Sequence, residues 1–441
     1  MGPHVSHRTW NARDTSAPMS IAATPLLRIR SAALVAGQWC AVASLFVVPL
    51  NKPATNVALI LSLAFSLLGT EARQRWLTAA RHPVVLGALL WWLVLTLSAL
   101  HTWYDTSELP LTGSYTWVCW YPLVLGSLLQ TSAWRQRALV AFALAMGVVL
   151  LISCGMDLGL IPQRAVSLSE PAMRNTVFKE YTQQGLALLV FGSMALAVAI
   201  DTPSTRQKAF FFGVALLTLI NIVLVLESRT TYLTLVPLLA YWSWRIFARG
   251  RVGWRHTVAA CSLMVAIPAV VWFTPPVRER LVVSIEHEVQ LYAGQREPTS
   301  TGIRLELWRR TLPIIATAPV FGHGLHQWAP LYRQSIEGSP DFDAFLMGHP
   351  HQEMLLILAE QGAVGLLVYL LLLVALARYI RRLDPVPRDI YSCILLIYLT
   401  AGLANGLWAD FSHRHLFILL LACMPLAKQP TSPLRVRTRP E

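Results

Sequence analysis

The sequence has little charge. Asp, Glu, Lys and Arg make up 13% of its 441 residues, whereas 55% of the residues are hydrophobic. A chain this poor in charge cannot cover a water-soluble surface, and its apolar runs approach the roughly 20 residues that cross a bilayer. The composition therefore excludes a soluble globular protein. We predict an all-α, polytopic protein embedded in the lipid bilayer.

Cysteines are absent from the polar loops. All six lie in apolar runs without metal-ligand spacing, at Cys40, Cys119, Cys154, Cys261, Cys393 and Cys423. This pattern favours small apolar packing residues over disulphide bonds or zinc ligands. The chain also contains neither a glycine-rich phosphate loop with its lysine nor an internal repeat.

About twelve apolar runs predict membrane-spanning helices. They cover roughly residues 32–50, 54–70, 83–101, 116–131, 138–158, 185–201, 209–227, 231–247, 257–274, 362–380, 390–407 and 416–427. Most of the Lys and Arg behind the net charge of +13 fall in alternate loops, which places both termini in the cytoplasm. The basic charge therefore needs no nucleic-acid partner.

These assignments divide the chain into five parts. A cytoplasmic tail (1–30) precedes nine membrane helices (31–274), a large periplasmic loop (275–352), three further membrane helices (353–427) and a cytoplasmic tail (428–441). Only the large loop is long enough to form a structure outside the membrane. Its apolar spacing predicts one helix over 277–292 and a second over 302–316, before Pro319, Gly322 and Gly324 break the chain.

Cations that remain on the outer face need a separate explanation. They are Arg174 with Lys179, Arg229, Arg304 with Arg309 and Arg310, and Arg414 beside His413 and His415. Arginine suits phosphate because its planar, permanently charged fork matches two oxygens. Each cation could instead be a solvated residue or one that extends to lipid headgroups. Arg229 is the hardest to explain that way, because it interrupts two apolar runs with almost no loop.

Two histidines, His349 and His351, stand just before an apolar run. A neutral imidazole accepts a proton near pH 7, so the pair is a candidate for base catalysis at the membrane boundary. The alternative is that the histidines only cap the next helix. A metal site is a further alternative, with Glu353, Asp410 and the Asp341/Asp343 pair as possible ligands. The arginines favour a metal-free site that stabilises a phosphate leaving group.

In their order and spacing these residues resemble the O-antigen ligase and polymerase superfamily, and within it the ligases that attach O-antigen to lipid A-core. The motifs are Ser228-Arg229, Gly302-Ile303-Arg304 with Trp308, Pro319-x-x-Gly322-x-Gly324, His349-Pro350-His351, Glu360-x-Gly362-x-x-Gly365 and Asp410. The motifs cover roughly 180–420. One departure is Gln352, where the superfamily usually has Asn.

The resemblance implies a GT-C-like fold and a metal-independent glycosyltransferase without a cofactor. The donor would be O-antigen on undecaprenyl diphosphate, the acceptor a sugar hydroxyl of lipid A-core, and the location the inner membrane of a Gram-negative bacterium with the site facing the periplasm. Arg229 and Arg304 would hold the diphosphate, His351 would be the base and Asp410 would support the site. The other expected substrate-binding residues are His349, Arg174, Lys179, Arg309, Arg310 and Gln352.

Two alternatives remain open from the sequence. An O-antigen polymerase or a protein O-oligosaccharyltransferase would use the same donor with a different acceptor. A transporter of lipid-linked glycans would perform no chemistry. Transporters typically carry paired repeats and ionisable groups near the membrane midplane, whereas here the unexplained charges lie on one side. The pattern therefore favours an enzyme.

Overall fold

A computed structural model describes residues 25–106, 114–163, 175–226, 228–247, 273, 278–338 and 345–426. Within these ranges the chain is helical and has no β-strand, which confirms the all-α prediction. The α-helices are α1 (Pro25–Val47), α2 (Lys52–Leu68), α3 (Ala72–Ala80), α4 (Pro83–Thr106), α5 (Ser114–Trp117), α6 (Tyr121–Leu128), α7 (Ser132–Asp157), α8 (Tyr181–Asp201), α9 (Thr205–Ile220), α10 (Arg229–Phe247), α11 (Ser284–Gln295), α12 (Ser300–Thr317), α13 (Trp328–Ile336), α14 (Glu353–Ile380), α15 (Pro385–Gly402) and α16 (Phe411–Ala422). Short π-helices follow α9 (Asn221–Leu226) and precede α11 (Glu279–Val283).

Short polar side chains start several of the apolar helices. The side-chain oxygens of Asn51, Thr131 and Ser204 accept hydrogen bonds from backbone N–H groups three residues further on, at the starts of α2, α7 and α9. Such caps satisfy donors that have no partner within the helix. Each cap therefore fixes the residue at which its helix begins.

The expected count of twelve membrane spans is not confirmed. Six helices in the described ranges are long and apolar enough to cross a bilayer, namely α1, α4, α7, α8, α9 with its π-helix, and α14. The pair α2 and α3, bent by 117°, would make a seventh. The apolar segments Val118–Leu128 and Phe411–Ala422 are too short, because each residue advances an α-helix by only about 1.5 Å. Apart from residue 273, the predicted span 257–274 lies outside the described residues.

A buried ion pair joins α10 to α15. Arg245 Nε lies 2.6 Å from Asp389 Oδ1, and the Tyr241 hydroxyl donates to the same oxygen at 2.9 Å. Both charged side chains are almost fully buried, so each needs the other to offset the loss of hydration. Arg245 therefore has a structural role in joining the two helices.

Both helices expected in the large outer segment are present as α11 and α12, with α13 added after them. The three lie between α10 and α14 in the chain. A second hydrophobic core, separate from the one among the membrane helices, packs α12 and α13 against the start of α14. Its buried members are Leu307, Ile314, Trp328, Tyr332, Ile336, Phe345, Leu356 and Ala359. The outer segment is therefore attached to α14 by packed side chains as well as by the chain itself.

Helix α14 is broken at Gly362, which has φ 66° and ψ −169°. The loop between α12 and α13 supplies the backbone hydrogen bonds that the break interrupts. The carbonyls of Pro319 and Val320 accept from the N–H groups of Ala363 and Val364, at 2.9 and 3.1 Å. In the other direction, the N–H groups of His323 and Gly324 donate to the carbonyls of Ala359 and Glu360, each at 2.9 Å. The break is thus fully paired with another part of the chain, as helix breaks at membrane depth require.

We expect Gly362→Ala to destabilise this junction. A Cβ there would lie 2.3 Å from the Val320 carbonyl oxygen, and the backbone conformation is one that essentially only glycine adopts. Strain alone should cost about 1–3 kcal/mol, measurable as a lower melting temperature of the purified protein in detergent. Gly147→Ala, in α7, is the matched control because nothing lies within 4 Å of its added Cβ. Equal melting temperatures for the two variants would contradict the role assigned to Gly362.

Candidate active site

The two histidines lie in a tight loop immediately before α14. The backbone N–H of His351 donates to Nδ1 of His349 at 3.2 Å, and the two ring centroids are 4.3 Å apart. His351 has φ 49°, in the left-handed region that few residues other than glycine adopt. Gln352 ends the loop and caps α14, its Oε1 accepting from the N–H of Leu355. The amide that replaces the superfamily's Asn therefore serves as a helix cap here.

Both imidazoles are held in the neutral form. Burial, followed by the nearby His349 and Arg304, lowers the pKa of His351 to about 3, against the smaller opposing effect of a contact with Asn405. Burial likewise lowers the pKa of His349. Nδ1 of His351 is buried and has no hydrogen-bond partner in the described part of the chain. A neutral ring with a free nitrogen is the state that a general base requires.

Helix α12 connects the histidine loop to Arg304. Trp308 lies one turn after Arg304 on the same helix face, and its Nε1 donates to the carbonyl of Pro350 at 3.1 Å. Arg304 Nη1 donates to the backbone carbonyl and the hydroxyl of Ser300, at 3.1 and 2.9 Å. Its Nε is buried and has no partner among the described residues. Arg304 thus keeps an uncommitted donor in a cluster that includes His351.

Arg229 is the first residue of α10 and reaches α11 and α12. Its two terminal nitrogens bind both carboxylate oxygens of Glu288, at 2.9 and 2.6 Å. Ser284 Oγ and Thr301 Oγ1 accept from the same guanidinium at 2.6 and 3.3 Å. Burial alone would raise the pKa of Glu288, but the hydrogen bonds from Arg229 and Thr301 outweigh it and lower the pKa to about 2. Glu288 is therefore ionised and offsets the charge of Arg229.

The structure brings Arg229 and Arg304 together, although 74 residues separate them in sequence. Arg229 contacts Thr301, and Arg304 contacts Ser300, so both guanidinium groups meet the first turn of α12. Burial lowers the pKa of Arg304, and the adjacent charge of Arg229 lowers it further. Two cations held this close are a suitable environment for an anion with several oxygens.

The loop after α15 contacts both histidines, through Asn405 and Gly406. Asn405 contacts His351, and its Nδ2 donates to Thr230 Oγ1 at 3.1 Å, which links the histidine to the residue after Arg229. Gly406 permits the approach, because a Cβ there would lie 2.9 Å from His349 Nδ1. No sequence signal identified Asn405 or Glu288, since their roles depend on elements distant in the chain.

Asp410 caps α16 and lies close enough to His349 to influence its pKa. Its Oδ1 accepts from the N–H of His413 at 2.9 Å, and its Oδ2 accepts from Gln183 Nε2 at 2.9 Å. Burial would raise the pKa of Asp410, but the bonds from His413 hold it well below its usual range. The carboxylate charge opposes the lowering of the His349 pKa. Asp410 thus faces the histidine loop without entering the arginine cluster.

Three other predicted residues take different places. Arg309 and Arg310 both bind the carboxylate of Glu306, and Arg310 also donates to the backbone carbonyl of Ser335. Burial would raise the pKa of Glu306, but these hydrogen bonds lower it to about 2, so the pairs are charged. Arg174 lies outside the described residues, as do Asp341 and Asp343. In the described part of the chain, no three His, Cys, Asp or Glu side chains form a group that could hold a metal ion.

The histidine loop, Arg229 and Arg304 fall within one family signature. Residues 213–370 match the family model described as O-Antigen ligase. The match supports the O-antigen ligase/polymerase superfamily and hence an enzyme of the glycosyltransferase type acting in glycan assembly at a membrane. No curated protein matches the chain.

If the two arginines hold a diphosphate in this superfamily's reaction, replacing either by lysine should impair transfer. Lysine keeps the charge but loses the paired hydrogen bonds, so kcat/KM should fall about tenfold or more in Arg229→Lys and in Arg304→Lys. Transfer from a polyprenyl-diphosphate-linked glycan would be measured. Arg309→Lys is the control, because Arg309 is half-exposed and bound to Glu306. Full activity in both lysine variants would rule out a diphosphate clamp.

Proposed function

We propose that this protein is an O-antigen ligase of a Gram-negative inner membrane, with its site facing the periplasm. It would transfer O-antigen from undecaprenyl diphosphate to a sugar hydroxyl of lipid A-core. The observation that carries the proposal is the cluster of a neutral His351 with two arginines at the start of α12. The O-Antigen ligase match over 213–370 supports the same reaction class.

The reaction would be a direct displacement. Nδ1 of His351 takes the proton of the acceptor hydroxyl as the hydroxyl oxygen attacks the anomeric carbon of the donor sugar. A new C–O bond forms on one face while the bond to the diphosphate oxygen breaks on the other, and the diphosphate leaves with the electron pair. The anomeric configuration is inverted. No metal is required, because Arg304 and Arg229 stabilise the negative charge that develops on the leaving group.

The Arg229–Glu288 pair sets a condition on donor binding. Glu288 occupies both terminal nitrogens of Arg229 with two oxygens, the positions that a phosphate would take. Arg229 can therefore bind the diphosphate directly only by exchanging Glu288 for phosphate oxygens. Arg304, whose Nε is uncommitted, can receive the donor first. Helix α11, which carries Glu288, has no fully buried residue, so such a shift would uncover no buried side chain of this helix.

Choice of acceptor tests the ligase assignment. Purified protein with a polyprenyl-diphosphate-linked glycan should glycosylate lipid A-core in the presence of EDTA. A second lipid-linked glycan and an acceptor peptide would be offered in parallel. Extension of the lipid-linked glycan would identify a polymerase, and labelling of the peptide would identify a protein O-oligosaccharyltransferase. Loss of transfer with EDTA and recovery with a divalent cation would exclude the metal-free mechanism.

His351→Ala should reduce transfer by roughly 10²- to 10⁴-fold, the usual contribution of a general base, while donor binding and folding stay largely intact. His349→Ala should have a smaller effect, because His349 acts by positioning His351. Near wild-type turnover in His351→Ala would exclude the base assignment.

The pH profile provides a second measure of the same group. Because burial lowers the pKa of His351 to about 3, the active neutral form persists in the free enzyme well below the ordinary imidazole value. kcat/KM should therefore stay level on acidification to about pH 5 and fall only nearer the lowered pKa. Bound diphosphate favours the charged ring, so the acid limb of kcat should lie at higher pH than that of kcat/KM. An acid limb of kcat/KM near pH 6.5 would contradict this assignment.

A further inference from the structure

A small cavity lies on the Asp410 side of the histidine pair, between the loop before α8 and the start of α16. Its polar lining consists of Lys179, Gln183, Gln184, Ser412 and His413. Its apolar lining consists of Val48, Pro49, Met146, Val149, Phe178, Ala187 and Leu416. We name it the Lys179 cavity. It has no lining residue in common with the Arg229–Arg304 cluster.

Three polar side chains of the Lys179 cavity are buried, and two of them have an atom without a hydrogen-bond partner in the described part of the chain. Lys179, Ser412 and His413 expose only 9%, 6% and 5% of their surfaces. Ser412 Oγ and His413 Nε2 have no hydrogen-bond partner in the described part of the chain. Buried polar atoms almost always have a partner, so two orphaned atoms beside a buried ammonium indicate a missing ligand. The Lys179 ammonium and the Ser412 hydroxyl donate hydrogen bonds, and the His413 ring, whose Nδ1 lies 3.2 Å from Asp410 Oδ1, donates from Nε2 as well when both its nitrogens carry a proton.

The surroundings of the Lys179 cavity have excess positive charge. The Lys52 ammonium lies 6.0 Å from the ring centroid of Phe411, at the start of α16. Burial and then the charge of Lys52 lower the pKa of Lys179 to about 8, which still leaves it mostly protonated at pH 7. Asp410 opposes this lowering, but its carboxylate is already bound to Gln183 and His413. A ligand with negative charge would offset the two lysines.

We propose that the Lys179 cavity binds a phosphate group carried by the acceptor glycolipid. A phosphate provides three or more oxygens for the ammonium, the hydroxyl and the imidazole, where a carboxylate provides two. The apolar lining suits a group attached to a lipid at the membrane boundary. This inference rests on the proposed function, since it assigns the Lys179 cavity to the second substrate of the same reaction.

The position of the Lys179 cavity relative to the two histidines favours the acceptor over the donor as its occupant. Asp410 and His413, which lie at the Lys179 cavity, act on the pKa of His349, whereas Arg304 acts on that of His351. The cavity therefore adjoins the first histidine of the pair, and the arginine cluster adjoins the second. The donor diphosphate already has a site at Arg229 and Arg304. A phosphate anchored at Lys179 would hold the acceptor beside His349, so that its hydroxyl can reach the neighbouring His351. Two separate cationic sites would also keep the two anionic substrates from exchanging places.

The test compares lipid A-core with the same acceptor after phosphatase treatment. In Lys179→Gln and Ser412→Ala, KM for the phosphorylated acceptor should rise, by about tenfold for Lys179→Gln, while KM for the donor stays unchanged. The treated acceptor should show a high KM with the wild type and little further change in either variant. Lys208→Gln, on α9 and exposed, is the matched control. Melting temperatures in detergent would confirm that each variant is folded.

Three outcomes would overturn the inference. An equal rise in KM for both acceptors would show that Lys179 does not recognise phosphate. A rise in the donor KM would assign the Lys179 cavity to the diphosphate. If phosphatidylglycerol vesicles, but not lipid A-core, raise the melting temperature of the wild type more than that of Lys179→Gln, the occupant is a bilayer phospholipid. This binding measurement does not depend on transfer, so it separates failure of the subsite from a wild type that transfers no glycan.

Discussion

The exchange of backbone hydrogen bonds at Gly362 is the constraint on which the placement of α12 and α13 depends. A helix that breaks within a membrane protein exposes donors and acceptors that lipid cannot satisfy. Here residues 319–324 supply partners on both sides of the break, and Gly362 lets their backbones approach closely. Because this loop joins α12 to α13, the pairing also fixes where α12 ends. The side chains of α12, including Arg304 and Trp308, are therefore positioned by backbone contacts that take no part in the proposed reaction.

The candidate site follows from that position of α12. One face of the helix presents Arg304 and Trp308, and the indole of Trp308 holds the carbonyl of Pro350. The histidine loop is thereby tied to the helix that carries the cation. On the other side, Asn405 connects His351 to Thr230, next to Arg229. Three distant parts of the chain thus meet around one imidazole, and burial among them keeps that imidazole neutral.

Charge is distributed unevenly around this imidazole. Arg229 is neutralised by Glu288, Arg309 and Arg310 share Glu306, and Arg304 retains a buried nitrogen with no partner among the described residues. The arginines that look equivalent in the sequence therefore differ in what they can offer a ligand. Lys179 belongs to a separate group beside Asp410, so the cations that the sequence analysis grouped together are divided between different clusters.

The sequence by itself determined the fold class, because helical apolar runs and scarce charge allow no other stable arrangement in a bilayer. It also indicated the arginine and histidine motifs and the Gly322, Gly324 and Gly362 positions. The count of twelve membrane spans stays a prediction, because an apolar run such as that of α16 does not reveal how far its helix extends. Only the tertiary structure decided that Glu288 and Asn405 belong to the site, and that Arg309 and Arg310 are committed to Glu306. The reason is physical: a side chain's charge and hydrogen-bonding capacity are set by partners that the fold brings from other elements, and residue spacing along one element does not encode those partners.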